Sequence, residues 1–366
     1  MNDHTLRETL ADLTLDLIGV ESVTGNEAAI AAFVAQWFRE KVPADWVDVV
    51  GNSVMVRPTP LSVPTVGLFG HLDTVPGRED QPPRRDHEYV YGTGSSDMKG
   101  ALAVKMVLAA EMAGTDPSRW LRRPLFVFYD AEEGPYLESG LIPLEAARGE
   151  VLREMEFAIC MEPTSNTIQM GCTGTLHATL TFTGKRAHTA RPWQGENAMH
   201  KAGPLLSELL AREPIDIQYG DLLFREVMSV TVASGPTARN VVPDHFSLNL
   251  NYRFSPAKSL EEAQQDVMEL VAGRAEVTFT DLCPSGEPCL DNPHFKALHA
   301  LTLAAIEPKQ AWTDVARIQT WGIDAINYGP GDGAEAHQRN EKAPIGPLVT
   351  TYRELERFFL GNSERA

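Results

Sequence analysis

Residues 65–76 read TVGLFGHLDTVP, an uncharged apolar stretch that runs straight into a histidine and an aspartate. A continuous apolar run of this length, bounded by turn residues, predicts a strand buried on both faces. PLFVFYD (124–130) and FAIC (157–160) have the same character, and the apolar segment from Met98 to Met112 between the first two is long enough for a buried helix. Upstream, Leu6, Leu10, Leu13, Leu17 and Ile18 recur at helical spacing. Thr24 and Glu27 form a capping-box pattern ahead of a second amphipathic helix with Ile30, Phe33, Val34, Trp37 and Phe38. WVDVV (46–50) and SVMVR (53–57) read as strands. Strands alternating with helices predict an α/β fold whose mixed, mostly parallel sheet is sandwiched by helices.

The texture changes after about residue 175. TLHATLTFTG (175–184), MSVTVASG (228–235) and FSLNLNYRF (246–254) alternate apolar with polar, as in strands with one buried face. Helical stretches at 197–211 and 259–272 accompany them. CPSGEPCLDNP (283–293) reads as a crossing linker, after which HFKALHALTLAA and GIDAINYG resume the helix and strand pattern. This predicts a catalytic domain over 1–175 and 292–366, interrupted by an α+β antiparallel-sheet domain over 176–291.

The chain has 366 residues, 43% of them hydrophobic and 22% charged, which suffices for two cores. Its formal charge of −18 disfavours nucleic acid and anionic membranes as partners. Cys160, Cys172, Cys283 and Cys289 are too few and too dispersed for a disulfide framework, and they read as reduced thiols of a cytoplasmic protein. The first residues lack the pattern of a secretory signal, and no apolar run is long enough to span a bilayer.

Five segments place metal-competent side chains after strands or in tight turns: GHLDTVP (70–76), GTGSSDMKG (92–100), YDAEEG (129–134), MEPT (161–164) and GPGDGAEAHQRNE (329–341). In open α/β sheets, the carboxyl ends of the strands are where ligands bind. Each segment alone has a bland reading as a polar cap or a solvated turn. Together they supply two imidazoles and several carboxylates, a mixed nitrogen and oxygen set that suits zinc better than magnesium or calcium.

In this order, with a strand-rich insertion between the fourth and fifth, the segments resemble the co-catalytic zinc amidohydrolases, which include aminoacylases, acetylornithine deacetylases, glutamate-type carboxypeptidases and desuccinylases. The resemblance extends over nearly the whole chain. It is nearest to the actinobacterial desuccinylases through VFYDAEE (127–133), EPTSNTIQMGCTGTL (162–176), GKRAHTARPWQGENAMHK (184–201), RNVVPD (239–244), NYRFSP (251–256), WTDVARIQTWGIDAINYGPGD (312–332) and AHQRNE (336–341). It implies two divalent metal ions, zinc with cobalt or manganese as substitutes. Asp97 would bridge them, His71 and Glu162 would complete one site, and Glu133 and His337 the other. Asp73 would accept the second N–H of His71, and Glu132 would be the general base.

In the inserted domain, the resemblance gives His188 the role of stabilising an oxyanion in the partner subunit of a homodimer. It also places Asn240 and Arg253 on the substrate, and Arg191 and Arg317 are further cations available to a small anionic N-acyl amino acid. The implied reaction is hydrolysis of N-succinyl-L,L-diaminopimelate. Acetylornithine deacetylase, another N-acyl-amino-acid deacylase or a metallocarboxypeptidase would keep the same ligands and change only the pocket. A non-catalytic binding relative would be expected to have lost the base or some of the ligands. The chain departs from the proteobacterial desuccinylases at the turn Gly171–Thr175, which lacks their double arginine, and at Trp312–Arg317, where the arginine is displaced by one.

Overall fold

The computed structural model describes residues 1–59, 61–77, 80 and 82–361. The chain forms two compact units. The first comprises 1–171, 288–307 and 313 onward, and the second 172–287 and 308–312. The predicted end of the catalytic domain at 366 lies outside the described residues. Residues 308–312, assigned above to the catalytic domain, group with the second unit, where Lys309, Gln310 and Trp312 find hydrogen-bond partners. Lys309 O accepts Thr173 N–H, the Gln310 side chain bonds Leu223 O and Arg225 N, and Trp312 Nε1 donates to Pro284 O.

The first unit is built on an eight-stranded sheet. Its centre is four parallel strands, in the order Arg123–Tyr129, Thr65–His71, Met155–Cys160 and Ala325–Asn327. Antiparallel strands flank this centre. Ser53–Val56 pairs with Arg123–Tyr129, Val47–Val50 pairs with Ser53–Val56, and Ile168–Met170 pairs with Ala325–Asn327. All seven residues of Thr65–His71 and of Arg123–Tyr129 are buried, as their unbroken apolar sequence predicts. Helix Gly100–Ala113 buries residues all round its circumference, and helices Asp3–Ile18 and Ile345–Leu360 pack against it. The first of these is capped by the Asn2 side chain, which accepts Thr5 N–H at 2.8 Å.

The capping box expected at Thr24 and Glu27 does not form. Helix Ala28–Lys41 starts after Glu27 without a side-chain cap. The Thr24 hydroxyl donates to Asp73 Oδ2 at 3.0 Å instead, and the Glu27 carboxylate accepts Gly25 N–H. The helix begins only after Glu27, so Thr24 lies too far upstream for its hydroxyl to accept from the first turn.

The second unit is a five-stranded antiparallel sheet. Its order is Ile215–Tyr219, Leu222–Ser234, His245–Phe254, Gly174–Thr183 and Glu276–Cys283. Leu176, Ala178, Leu180 and Phe182 alternate with partly exposed neighbours and share one face with Leu248, Leu250, Tyr252 and Phe254. Helices Ala198–Leu210 and Leu260–Val271 cover that face with Ala198, Ala202, Leu205, Ala263 and Val267. The segment 215–219 was not expected to be a strand. It is an edge strand with no fully buried residue and so lacks the apolar alternation of its neighbours.

Candidate metal centre

The four central strands all run the same way, and each leads into one of the predicted ligand segments. His71 is the last residue of its strand. Glu132 and Glu133 follow Tyr129, with Ala131 in the left-handed region at φ 55° making the sharp turn between them and the sheet. Glu162 lies two residues beyond Cys160. The segment after Asn327 curves back to His337, itself at φ 60°. Asp97 comes from an irregular turn, Ser95–Lys99, that opens helix Gly100–Ala113. This turn contains a cis peptide between Asp97 and Met98.

Asp97 faces both imidazoles. Its Oδ1 lies 3.2 Å from His71 Nε2 and its Oδ2 lies 3.5 Å from His337 Nε2. His337 Nε2 is also 2.7 Å from Glu133 Oε1. Among the described residues, three groups have ligand atoms that all fall within 4.8 Å of one another: His71, Asp97 and Glu162; His71, Glu132 and Glu133; and Asp97, Glu133 and His337. All five predicted ligands therefore converge on one locality, with Glu132 among them.

The electrostatics are those of crowded anions held by two imidazoles. Burial raises the Asp97 carboxyl, but hydrogen bonds with His337 and His71 outweigh it and hold the group below the ordinary carboxylate value. Hydrogen bonds to Asp97 and Glu133 push His337 up to about 10. Burial would lower His71, yet its acidic partners Asp73 and Asp97 raise it well above the usual imidazole value. Burial and then the charge of Glu162 push Glu132 well above the ordinary range. Four carboxylates this close together call for positive charge between them, and a divalent cation can take the place of the imidazole protons. Nitrogen and oxygen donors arranged around a shared carboxylate fit such cations.

Asp73 is fully buried, and its carboxylate serves the turn that carries the glutamates. Its Oδ1 accepts Glu132 N–H at 3.1 Å and its Oδ2 accepts Glu133 N–H at 3.0 Å. The imidazole of His71 finds the main-chain oxygen of Asp73 nearer, at 3.0 Å from Nδ1, than the carboxylate at 3.6 Å. The other side of the centre is closed by backbone packing. Gly331 lies so close to Ser96 that a Cβ would sit 2.1 Å from its carbonyl oxygen, and a Cβ on Gly329 would sit 2.4 Å from Met161 O. Thr164 Oγ1 accepts Gly329 N–H at 3.0 Å.

Arg317 is only 4% exposed. Its guanidinium bonds Asp314 Oδ1 at 2.7 Å and Tyr136 O at 2.5 Å and lies over the Tyr136 ring. In the second unit, His188 is exposed and accepts Ala190 N–H on Nδ1. Its two-residue strand pairs with Val241–Val242 beside Asn240, and Asn240 O accepts Thr189 N–H. Arg191 is exposed two residues beyond this pair. Arg253 is half-buried on strand His245–Phe254 and donates to Asn251 Oδ1.

Sequence reasoning assigned no role to Glu341, the last residue of the fifth segment. It is 2% exposed, and its carboxylate accepts three backbone N–H groups of the turn that carries Asp97. Burial outweighs those donors and pushes its carboxyl up to about 7. The only sequence signal was an acid four residues after a candidate ligand histidine.

Residues 171–278 match the family of the peptidase dimerisation domain. The chain is 37% identical to DapE of Mycobacterium tuberculosis, a protein named for succinyl-diaminopimelate desuccinylase, over 97% of this chain and 99% of that one. It is 33% identical to succinyl-diaminopimelate desuccinylase of Corynebacterium glutamicum, over 94% of this chain and 95% of that one. Among solved structures, a tripeptidase of Staphylococcus aureus superposes with a TM-score of 0.76 at 20% identity, covering 97% and 98% of the two chains. The YXEP protein of Bacillus subtilis, titled a dinuclear metal binding peptidase from the M20 family, superposes with a TM-score of 0.69 at 17% identity, again covering 97% and 98%. At these identities the structural likenesses establish the fold.

Proposed function

The chain belongs to the succinyl-diaminopimelate desuccinylase family, whose Mycobacterium and Corynebacterium members align with nearly all of it, and from that premise we propose that it hydrolyses N-succinyl-L,L-diaminopimelate to succinate and L,L-diaminopimelate. The observation that carries the proposal is the position of Asp97, with one carboxylate oxygen toward each imidazole. His71 and Glu162 would hold one divalent cation, Glu133 and His337 a second, and Asp97 would be shared, with zinc as the expected metal and cobalt or manganese as substitutes. A divalent pair held there would polarise the scissile carbonyl and acidify the attacking water.

The protein's own part is proton transfer and positioning. Glu132 takes a proton from the attacking water as the new C–O bond forms. It then delivers that proton to the nitrogen as the C–N bond breaks, so the amine leaves neutral. Arg253 and Arg191 are the cations proposed for the substrate carboxylates, and Asn240 is proposed for its amino-acid part. The guanidinium of Arg317 is committed to Asp314 and Tyr136, so its contribution is to brace the 129–136 turn.

The second unit is proposed to form a homodimer and to bring His188 to the partner's centre. Two observations support this: the match to a dimerisation domain, and the free edge of strand Leu222–Ser234. Beyond Glu226 that strand pairs only with His245–Phe254 among the described residues, and Val232 is 58% exposed there. Cytoplasmic residence fits four buried thiols and the lack, among the described residues, of any helix long and apolar enough to cross a membrane.

The test is turnover of a panel of N-acyl amino acids, with metal content measured for the wild type and Glu132→Gln. Preferred hydrolysis of the succinyl substrate is expected. The variant should keep its metal and lose about 10²- to 10⁴-fold in activity, as removal of a general base implies. Preference for acetylornithine would refute the substrate, and undiminished turnover by the variant would refute the role of Glu132.

A further inference from the structure

Glu341 belongs to the segment that supplies His337, yet its carboxylate is spent on the turn that supplies Asp97. Oε1 accepts the backbone N–H groups of Ser96 at 2.7 Å and Asp97 at 2.9 Å, and Oε2 accepts that of Gly94 at 2.8 Å. The main chain adds a fourth link, from Gly92 N–H to Glu341 O at 2.9 Å. A parallel stitch lies on the far side of His337, where Ser96 Oγ donates to Asp332 O and accepts Asp332 N–H. Both ends of the 332–341 segment are thus fastened to the 92–97 turn, and His337 lies between them.

We propose that Glu341 is a positioning residue that sets the spacing between Asp97 and His337, and so controls how tightly the centre holds its second cation. Three convergent N–H donors fix the carboxylate, and through it the backbone nitrogen of Asp97, in one place. The side chain has to be an acid of this length. Both oxygens are used as acceptors, so an amide in its place would turn N–H donors toward the backbone N–H of Gly94 or of Ser96 and Asp97, leaving a buried donor without an acceptor. A side chain one methylene shorter could not reach all three donors from the same main-chain position.

The inference rests on the two-metal reading of the centre, and the experiment separates the two. Wild type, Glu341→Gln and Glu341→Asp are prepared metal-free. Zinc stoichiometry and affinity are measured by competition with a chromophoric chelator, the absorption spectrum is recorded on cobalt loading, and the melting temperature of each metal-free protein is taken. Two zinc ions on the wild type, with the weaker one bound about 10- to 100-fold less tightly by Glu341→Gln, are expected, as for other groups that orient metal ligands. The cobalt spectrum should change in the variant, and Glu341→Asp should recover part of the affinity. If the wild type holds fewer than two zinc ions, the two-metal reading fails. If it holds two and both variants bind them with wild-type affinity and spectrum, the role of Glu341 fails, even if their metal-free melting temperatures drop. Should Glu341→Gln not fold, Glu341→Asp decides by the same two readouts.

Discussion

Asp73 Oδ2 accepts the backbone N–H of Glu133 at 3.0 Å, and its other oxygen accepts that of Glu132 at 3.1 Å. A buried acid just beyond one strand end thus holds in register the turn that carries both Glu133, the proposed metal ligand, and Glu132, the proposed base. The same residue offers its main-chain oxygen to His71 Nδ1 at 3.0 Å. It lies in the Asp73 backbone, so this last contact survives any change of side chain.

Asp73→Ala is therefore expected to spare the orientation of His71 and to loosen the 131–134 turn. Metal affinity should fall by about 10- to 100-fold, the range for residues that orient ligands, and turnover should fall further because Glu132 moves as well. Asp73→Asn keeps one acceptor and should lie between Ala and wild type. Zinc titration together with kcat for the three proteins is the check. Wild-type turnover in Asp73→Ala would show that the turn holds itself.

Gly331→Ala tests the other wall. The added Cβ would meet Ser96 O at 2.1 Å, and that oxygen is backbone that cannot swing aside. The segment leading to His337 must then move away from the turn carrying Asp97. A loss of about 1–3 kcal/mol in stability is expected, as for overpacked interiors, together with weaker metal binding. Gly346 provides the control, because a Cβ there meets nothing within 4 Å. Denaturant unfolding and zinc titration of the two alanine variants should separate them clearly. Equal behaviour would show that the close approach at Gly331 is without consequence.

Much of the centre was legible in the sequence because a strand end followed by an acid or imidazole leaves a local signature. His71, Glu132, Glu133 and Glu162 each lie within a few residues of an apolar run that predicts its own strand. Asp97 and His337 could be matched to the family pattern, but nothing in their spacing says that they face each other across 240 residues. Glu341 was missed for a related reason: its partners are backbone N–H groups, which every sequence possesses. Thr24 misled because its local pattern fits a helix cap, whereas its actual acceptor, Asp73, is 49 residues away. The division at 308–312 was likewise invisible, since what assigns that segment to the second unit is a few hydrogen bonds to residues far along the chain.

The second unit has its own buried charge. Glu226 Oε1 accepts Ser255 N–H and Oγ–H, and its Oε2 accepts from Tyr252 and Lys258. Burial raises this carboxyl, but the Ser255 and Lys258 hydrogen bonds outweigh it, and the group lies below its ordinary value of 4.5. A carboxylate with a depressed folded-state pKa contributes stability that is present above 4.5 and lost as pH falls through the folded value. Lys258 keeps its ion pair with Asp266 at 2.6 Å when Glu226 is neutralised, so Glu226→Gln should cost about 1–3 kcal/mol near neutral pH, the cost of leaving a buried hydrogen-bond partner unsatisfied. The gap to wild type should narrow below pH 4.5. Urea unfolding at neutral and acid pH measures it, and a gap independent of pH would mean that the carboxylate's charge is irrelevant.

The proposed trans role of His188 has a sharper test than its removal, which would lower activity wherever the side chain acts. A Glu132→Gln subunit keeps His188 but lacks the proposed base, and a His188→Ala subunit keeps that base but lacks the imidazole. If each centre uses His188 of the other subunit, a mixed dimer has one centre with both groups intact and one with neither. Random mixing makes half the dimers mixed, so co-expressed subunits should recover about one quarter of wild-type activity, from a C₂ dimer with two equivalent sites. If His188 served the centre of its own chain, every site in the mixture would lack one group, and activity would stay at the level of the two separate variants. The assay needs only the two tagged subunits, purified singly and together, with kcat expressed per centre. Failure to recover activity in dimers shown to contain both tags would remove His188 from the partner's site.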